Sequence, residues 1–256
     1  MKIAIIGAGN MGGAIAKGLA QGTVIAAGDI WVSNPSLSKL DDLKAFDSRI
    51  NTTTDNQKAV DVADWVILAV KPWLIDMVVK SIKFRPEQVV ISIAAGVTFE
   101  ALAKCLGYER TIFRMIPNTA ISLGESVTFI AEQGAPKERL DELVSIFSEL
   151  GQTVVVKEPM MGPGTSLASC GIAFALKYLD ASIQGGVELG FAPEEARAVV
   201  MQTMRGALEM MNLNGTMPQT EIDKVTTPGG MTLRGLAAME ESGFTEAVKA
   251  GLFNSK

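Results

Sequence analysis

The stretch KIAIIGAGNMGGAI, residues 2–15, decides the fold of this chain. It begins with a short apolar run of the kind that a buried strand requires, and the segment Asn10–Gln21 has the residue spacing of a helix. Between them lies the pattern G-x-G-x-x-G, which in a strand–turn–helix context predicts a dinucleotide-binding unit. A glycine-rich turn that binds nothing is the alternative interpretation.

The positions of this motif have separate physical reasons. Gly7 permits a tight turn, Gly9 lets the backbone approach a pyrophosphate, and Gly12 lets the helix pack closely on the sheet. The first amides of the helix have no partner inside it and therefore attract an anion. We expect the phosphates of the cofactor to contact Gly7, Gly9, Asn10, Met11 and Gly12.

The rest of the first half repeats the alternation of apolar runs and helical patterns. Continuous runs rich in Val and Ile are typical of strands that are buried on both faces. Their alternation with helical segments predicts the α/β class, with a Rossmann-type, doubly wound and mostly parallel sheet. The predicted strands are residues 2–7, 29–34, 65–71, 88–94, 111–116, 126–132 and 153–158.

The strand patterns stop after about Glu158, and Ala, Met, Leu and Gly then recur at helical spacing. Pro and Gly cluster in KEPMMGPG (157–164), so we predict a dinucleotide-binding domain over residues 1–158 and an all-helical domain over residues 159–256. Nine of the thirteen methionines lie in the second domain, together with a run of small residues from Gly164 to Ala173. Both features favour a packed helical dimer interface, although an intrachain core would have the same composition.

Composition and charge exclude several classes of function. The net charge is −5 and no Lys/Arg cluster stands out, so neither nucleic acid nor an anionic membrane is an expected partner. The uncharged run GTSLASCGIAFAL (164–176) is shorter than the roughly 20 residues of a bilayer span. Cys105 and Cys170 match no metal or redox spacing, so we expect free thiols in the reducing cytoplasm.

The chain contains no histidine. This excludes acid–base chemistry by His, Ser-His-Asp triads and metal sites with His ligands, and we expect no metal. The reactivity must then come from elsewhere, most simply from an organic cofactor.

The second predicted strand, DIWVSN (29–34), bears on the choice of nucleotide. An NAD-specific fold usually carries Asp or Glu at the end of this strand to bind the ribose 2′-hydroxyl, but Asp29 lies at its beginning. Ser33, Asn34 and Ser36 are uncharged donors, and Lys39 follows one helical turn later. A 2′-phosphate fits this set better, so we expect NADPH, with NADH as the alternative. Helix capping by Ser or Asn is compatible with either.

Ligands of an open α/β sheet bind beyond the carboxyl ends of the strands. The strand WVILAVK (65–71) ends beside Pro72, so this end should border the nicotinamide half of the cofactor, although a lone lysine after a strand is often only solvated. The residues predicted for this half of the site are Asn56, Ala69, Val70, Lys71, Pro72, Ala94 and Ala95. Lys71 is also a candidate catalytic residue.

The segment TTPGGMTLRGL (226–236) interrupts an otherwise helical region. Pro and Gly are the least favourable residues inside a helix, so the simplest interpretation is a tight turn between two helices. The unpaired amides of a helix start favour negative charge, however, and Gly lets a ligand approach the backbone closely. An anion site is therefore the alternative.

Several stretches of the chain together resemble the pyrroline-5-carboxylate reductase family. They occur in the family's order and span nearly the whole chain. The resemblance implies a Rossmann domain and a helical dimerisation domain, with assembly into a homodimer or a larger ring. It also implies reduction of 1-pyrroline-5-carboxylate, a cyclic imine carboxylate, to L-proline by NADPH, the final step of proline biosynthesis. The matching stretches are IGAGNMGGAI (6–15), ILAVKP (67–72), ISIAAGV (91–97), RMIPNTAISLGE (114–125) and DKVTTPGGMTLRGL (223–236).

The resemblance also implies the substrate site. Backbone amides at Gly229 and Gly230 would hold the substrate carboxylate together with Thr227, and Thr232 would be the catalytic residue that contacts the ring nitrogen. Asn118 would lie across the pocket from Thr232.

The segment ASCGIAF (168–174) departs from the family's Ser-Gly-Ser-Gly-Pro-Ala-Tyr-like pattern, because Ile172 and Phe174 replace Pro and Tyr. The departure is compatible with the same reaction or with another cyclic imine. A β-hydroxyacid dehydrogenase is a further alternative, but it needs an acid–base group such as a lysine on the interdomain helix, where Lys177 is the only one. The last alternative is a non-catalytic NADP-binding sensor or scaffold.

Overall fold

The structure, a computed structural model, describes residues 1–255. The chain forms two compact units, one comprising Met1–Ser169 and one beginning at Cys170. The division falls later than the predicted boundary between residues 158 and 159. Glu158 accepts hydrogen bonds from the buried Arg114 and from the amide of Phe99, both at 2.7 Å, and Met161 is buried against the sheet. These contacts attach the segment after residue 158 to the first unit.

The first unit is built on an eight-stranded sheet with the strand order β3-β2-β1-β4-β5-β6-β7-β8. Neighbouring strands are parallel except β6 and β7. The order reverses between β1 and β4, and their carboxyl ends form the crevice where such sheets bind ligands. The strands are β1 Ile3–Ile6, β2 Ile30–Ser33, β3 Asn51–Thr53, β4 Trp65–Leu68, β5 Val89–Ser92, β6 Ile112–Ile116, β7 Ser126–Glu132 and β8 Gly151–Val155.

Helices cover both faces of this sheet. Side chains of α1, α2 and α6 form one apolar layer with the sheet, and those of α3, α4 and α5 form the other. Every residue of β1, β4 and β5 is buried, as expected for strands between two helical layers. The predicted doubly wound fold is therefore confirmed. The helices of this unit are α1 Asn10–Gln21, α2 Leu37–Phe46, α3 Asn56–Val62, α4 Ile75–Lys80, α5 Phe99–Leu106, α6 Lys137–Ser148 and α7 Met161–Gly164.

Several details of the predicted strands were wrong. Strand β4 was predicted to run to residue 71 but ends at Leu68, so Lys71 lies in the loop after it. Strand β3 was missed because its sequence, Asn-Thr-Thr, is short and polar, and only pairing with β2 makes it a strand. The last strand was predicted at residues 153–158 but begins at Gly151, where the backbone passes so close to Ser126 that a Cβ would lie 2.1 Å from the Ser126 oxygen. Neither β3 nor the first two residues of β8 have a local apolar pattern.

The regular secondary structure among the described residues of the second unit is all helical. A π-helical turn, Thr165–Cys170, leads into it. No residue of α8, α11 or α12 is buried, and large side chains such as Leu189, Leu213 and Met231 are more than 80% exposed. No helix within residues 1–255 is long and apolar enough to cross a membrane. The helices are α8 Gly171–Glu188, α9 Pro193–Asn214, α10 Pro218–Lys224, α11 Met231–Glu241 and α12 Phe244–Phe253.

A buried carboxylate in the second unit should make its stability depend on pH. Glu221 is 9% exposed, and its Oε1 atom accepts hydrogen bonds from Lys224 Nζ (2.8 Å), Thr216 and Asn214. The hydrogen bond from Lys224 is the largest cause that lowers the pKa of Glu221 from 4.5 to about 2. The stabilisation is therefore complete above about pH 4.5 and is lost as the pH falls towards 2.

We expect Glu221→Gln to lower the thermal midpoint of the helical circular-dichroism signal at neutral pH and to flatten its decline in acid. Glu246→Gln is the matched control, because Glu246 pairs with Lys249 at 2.9 Å but is 77% exposed. All three tryptophans lie in the first unit, so tryptophan fluorescence serves as an internal reference. Coincident acid profiles for Glu221→Gln and the unchanged chain would contradict the prediction.

Candidate active site

The turn after β1 can be made only by glycine. Gly7 has a φ of 108°, its amide donates to the Ser33 carbonyl at 2.7 Å, and a Cβ there would lie 2.5 Å from the Ala69 carbonyl oxygen. Gly12 is equally constrained, because its Cβ would lie 2.0 Å from the Gly7 carbonyl oxygen. The first turn of α1 thus packs directly on the ends of β1 and β4.

The start of α1 is open to a ligand. Gly9 precedes the helix, and a Cβ there would meet no atom within 4 Å. The first hydrogen bond within the helix runs from the Gly13 amide to the Gly9 carbonyl at 2.8 Å. The amides of Asn10, Met11 and Gly12 therefore have no helical partner and fit a phosphate group.

A cavity of about 360 Å³ adjoins this helix start, and its charged lining residues are two lysines and one carboxylate, Asp42. Lys39 comes from α2, and Lys17 comes from α1, with its Nζ 5.3 Å from the centre of the Phe46 ring. Lys17 was not predicted from the sequence. Helical spacing could have found it, because Asn10, Gly13, Ala14 and Lys17 share one face of α1. Two lysines beside free amides suit a ligand with several phosphates.

The end of β2 is organised differently from the prediction. Ser33 is fully buried and its hydroxyl donates to Asn56 Oδ1 at 2.7 Å, so it orients Asn56 and is not available to a 2′-phosphate. Asn34 instead connects the loop after β2 to the glycine-rich turn after β1, because its Oδ1 accepts the Ala8 amide at 3.0 Å. Ser36 begins α2 without capping it through its side chain. Ser36 and Lys39 are exposed and remain the candidates for the 2′-phosphate.

The residues predicted for the nicotinamide half come from adjacent strand ends. Strand β4 lies between β1 and β5, so the segment 69–72 and the segment 94–95 follow neighbouring strands at the same edge. The Ala69 amide donates to the Ile6 carbonyl at 2.8 Å, and Ala94 is buried whereas Ala95 is exposed. Lys71 is exposed and begins the turn Pro72–Leu74.

Asn118 follows β6 and is 5% exposed. Its side-chain Oδ1 accepts the backbone N–H of Ala120 at 3.1 Å, and its backbone N–H donates to Ser126 Oγ at 3.2 Å. The side chain therefore caps the short 3₁₀ helix Thr119–Leu123. The contact with Ala120 orients the carboxamide of Asn118, and the contact with Ser126 holds its backbone.

In the second unit, the Pro-Gly-Gly segment forms a tight turn. The Gly230 amide donates to the Thr227 carbonyl at 2.9 Å, and Gly229 has a φ of 73° after Pro228. Pro in the second position and Gly with positive φ in the third are the signature of a type II turn. Gly230 is also required for close approach, because its Cβ would lie 2.7 Å from Thr227 Oγ1.

The same turn opens α11 with unpaired amides. The first helical hydrogen bond runs from Arg234 to the Gly230 carbonyl at 3.3 Å, which leaves the amides of residues 231–233 without helical partners. Thr232 is exposed, and its hydroxyl bonds to no other residue that the structure describes. Arg234 Nη1 donates to the Gly229 carbonyl at 3.0 Å and so adds a cation beside the turn. Arg234 was not predicted, and its helical position alone gives no signal.

These features define the class of the protein as a Rossmann-type dinucleotide-binding chain with an added helical unit. Two family models match it. One, described as NADP oxidoreductase coenzyme F420-dependent, matches residues 2–96, and the other, described as pyrroline-5-carboxylate reductase dimerisation, matches residues 158–255. The second match begins close to the predicted boundary between residues 158 and 159.

Relatives of the chain narrow the class to a family. The chain is 33% identical to pyrroline-5-carboxylate reductase of Escherichia coli, over 96% of this chain and 93% of the relative. The chain is also 35% identical to pyrroline-5-carboxylate reductase 1 of Dictyostelium discoideum. That match covers 99% of this chain but only 48% of the relative. The chain belongs to the pyrroline-5-carboxylate reductase family.

A solved structure is similar over the whole chain. The pyrroline carboxylate reductase of Plasmodium falciparum, with NADP bound, superposes with a TM-score of 0.92 at 26% identity. The match covers 100% of this chain and 95% of that one. This match confirms the predicted fold class, a Rossmann-type domain followed by a helical domain.

Proposed function

We propose that this chain reduces 1-pyrroline-5-carboxylate to L-proline with NADPH. One observation carries the proposal: the exposed start of α11 presents unpaired amides, the free hydroxyl of Thr232 and the guanidinium of Arg234 beside a type II turn. A carboxylate next to a ring nitrogen is the kind of ligand that this set of groups recognises. The reaction itself is inferred from the chain's membership of the pyrroline-5-carboxylate reductase family.

The first unit is proposed to bind NADPH, which supplies a hydride from C4 of its nicotinamide when bound. The open space at Gly9, the free amides of α1 and the cations Lys17 and Lys39 fit the phosphates of a dinucleotide. Ser36 and Lys39 would contact the 2′-phosphate. Asn56, oriented by Ser33, and the segments 69–72 and 94–95 would border the nicotinamide half.

The second unit is proposed to hold the substrate. The amides of Gly229 and Gly230 were predicted to hold its carboxylate, but the Gly230 amide is bonded to the Thr227 carbonyl within the turn. The carboxylate would therefore lie on the unpaired amides of residues 231–233. Thr227 would stabilise the turn, and Thr232 would orient the ring nitrogen. A protonated cyclic imine is already electrophilic, so no strong protein acid is needed and the absence of histidine is consistent with this chemistry. Positioning alone provides effective molarities of about 10⁵ M or more. Asn118 stays a candidate contact, and Lys71 a candidate catalytic residue.

The helical unit is proposed to form a homodimer, and the dimers a larger ring. Its exposed apolar side chains, including Leu189, Leu213 and Met231, would be covered by a second copy. Cys105 and Cys170 are both free thiols, which supports a cytoplasmic location.

The test is to mix the purified chain with 1-pyrroline-5-carboxylate and NADPH and to follow the loss of cofactor absorbance, with proline measured as the product. Oxidation of β-hydroxyacids with NADP⁺ instead would favour the dehydrogenase alternative, although Lys177 pairs with Asp180 at 3.3 Å rather than standing free. Tight NADPH binding without turnover of any cyclic imine would favour a sensor.

Lys39→Ala should separate the two nicotinamide cofactors. If Lys39 contacts the 2′-phosphate, we expect the KM for NADPH to rise roughly tenfold, the usual effect of losing one charged hydrogen bond, and the KM for NADH to stay unchanged. Lys44→Ala is the control on the same helix, because Lys44 donates to the Ser48 carbonyl at 2.9 Å. Equal losses with NADPH and NADH would exclude Lys39 from 2′-phosphate recognition.

Gly9→Ala should weaken the cofactor without harming the fold. Gly9 has an ordinary φ of −67° and open space around its Cβ position, so alanine fits the free protein. The added methyl group would occupy the space of a phosphate, and we expect the Kd of NADPH to rise about tenfold or more, as for the loss of one strong contact. Gly28→Ala, also in open space, should bind NADPH normally. Normal binding by Gly9→Ala would place the phosphates elsewhere.

A further inference from the structure

The peptide group between Pro117 and Asn118 is held at both of its polar atoms by side-chain hydroxyls. Its N–H donates to Ser126 Oγ at 3.2 Å, and its carbonyl accepts from Ser169 Oγ at 3.2 Å. Ser126 is 2% exposed and is braced in turn by Thr128 Oγ1 at 3.2 Å. Two hydroxyls from distant parts of the chain therefore fix the plane of one peptide.

This peptide lies where orientation matters for a ligand. It directly follows β6, at the edge of the sheet where ligands of open α/β folds bind. The carboxamide oxygen of Asn118 accepts the backbone N–H of Ala120, two residues further along the chain. A tilt of the Pro117–Asn118 peptide would therefore carry the Asn118 side chain with it.

Ser169 reaches this carbonyl from a π-helical turn, Thr165–Cys170. A π-turn contains an extra residue, which rotates the following side chains relative to a regular α-helix, and such turns are frequent at functional sites. Thr165 in the same turn directs its hydroxyl back to the Met161 carbonyl at 2.7 Å. Of these two hydroxyls, only that of Ser169 contacts the Pro117–Asn118 peptide.

We propose that Ser169 is a positioning residue that fixes the Pro117–Asn118 peptide and, through it, the orientation of Asn118 for imine reduction. This inference rests on the proposed function, and Ser169 itself touches no reacting atom. Removal of its hydroxyl leaves the carbonyl side of the peptide unrestrained while the Ser126 contact remains.

The experiment compares Ser169→Ala with Thr165→Ala in the full chain. We expect Ser169→Ala to lower kcat about five- to tenfold with an unchanged KM for NADPH, and Ser169→Thr to restore most of the loss. Thr165→Ala removes a hydroxyl from the same π-turn and should keep normal kcat. In an Asn118→Ala background, Ser169→Ala should have no further effect, because both changes act on the same group.

Amide exchange in cofactor-free protein gives a second readout that does not depend on turnover. The backbone N–H of Asn118 should exchange faster in Ser169→Ala than in Thr165→Ala, because a peptide held only by Ser126 tilts and opens that hydrogen bond more often. Suppose that the unchanged chain reduces the imine. Either of two results would then overturn the positioning role and leave the proposed function intact: the same kcat in Ser169→Ala as in the unchanged chain, or additive losses of kcat when Ser169→Ala is combined with Asn118→Ala. Absence of imine reduction by the unchanged chain would overturn the proposed function and the positioning role with it. Equally slow exchange of the Asn118 N–H in Ser169→Ala and Thr165→Ala would overturn the positioning role alone.

Discussion

Gly12→Ala is expected to destabilise the first unit by about 3 kcal/mol and to abolish cofactor binding. The added Cβ would lie 2.0 Å from the Gly7 carbonyl oxygen and 3.0 Å from Ala69 Cβ. Overpacked positions typically lose about 1–3 kcal/mol, and here the closest atom is backbone that cannot rotate away, which places the loss at the upper end. Relief requires α1 to move off the sheet, and its free amides would then no longer meet the phosphates.

Tryptophan fluorescence during urea unfolding measures this loss in the first unit alone, since all three tryptophans lie there. Gly13→Ala is the matched control, because its Cβ would have its nearest neighbour, the Ala8 carbonyl oxygen, at an ordinary 3.8 Å. Alanine inside a helix is favoured over glycine by about 1 kcal/mol, so this control should be as stable as the parent or more so. Equal losses in the two variants would show that the contact at Gly12 is not the cause.

Thr232→Ala is expected to lower kcat for 1-pyrroline-5-carboxylate by roughly 10- to 100-fold, while the Kd of NADPH stays unchanged. A hydrogen bond to a charged group contributes about 1.5–3 kcal/mol, and each 1.36 kcal/mol changes a rate tenfold. The Thr232 hydroxyl has no partner among the described residues and is exposed at the second position of α11, so its removal costs the fold little.

Steady-state kinetics and direct cofactor titration check this result separately. Thr232→Ser keeps a hydroxyl at the same position and should retain most of the activity. Thr226→Ala removes a neighbouring hydroxyl that donates to the Ile222 carbonyl at 3.1 Å and should leave kcat unchanged. Unchanged turnover in Thr232→Ala would remove this residue from the mechanism.

The first unit could be predicted largely from local patterns. Strands buried on both faces must be apolar throughout, so β1, β4 and β5 are visible as continuous runs, and the glycine motif marks the turn between β1 and α1. The absence of histidine by itself excludes whole classes of chemistry. In the candidate site, Gly12 was selected by the motif alone, and the structure supplies the 2.0 Å contact that explains why glycine stands there.

Other features depend on contacts between residues far apart in the chain. Ser33 and Asn34 are neighbours with similar side chains, yet pairing turns Ser33 into the interior towards Asn56 and leaves Asn34 to bind the Ala8 amide. The three polar residues of β3 form a strand only beside β2. No local pattern predicts which partner such a side chain meets.

The sequence by itself determined the class of the fold, the position of the glycine turn and the family. These follow from spacing and residue type, which every stretch of chain carries locally. Only the tertiary structure decided that Ser169 meets the Pro117 carbonyl and that Glu158 attaches the interdomain segment to Arg114. The physical reason is that a hydrogen bond needs two groups at one point in space, and that meeting is set by the packing of the whole unit.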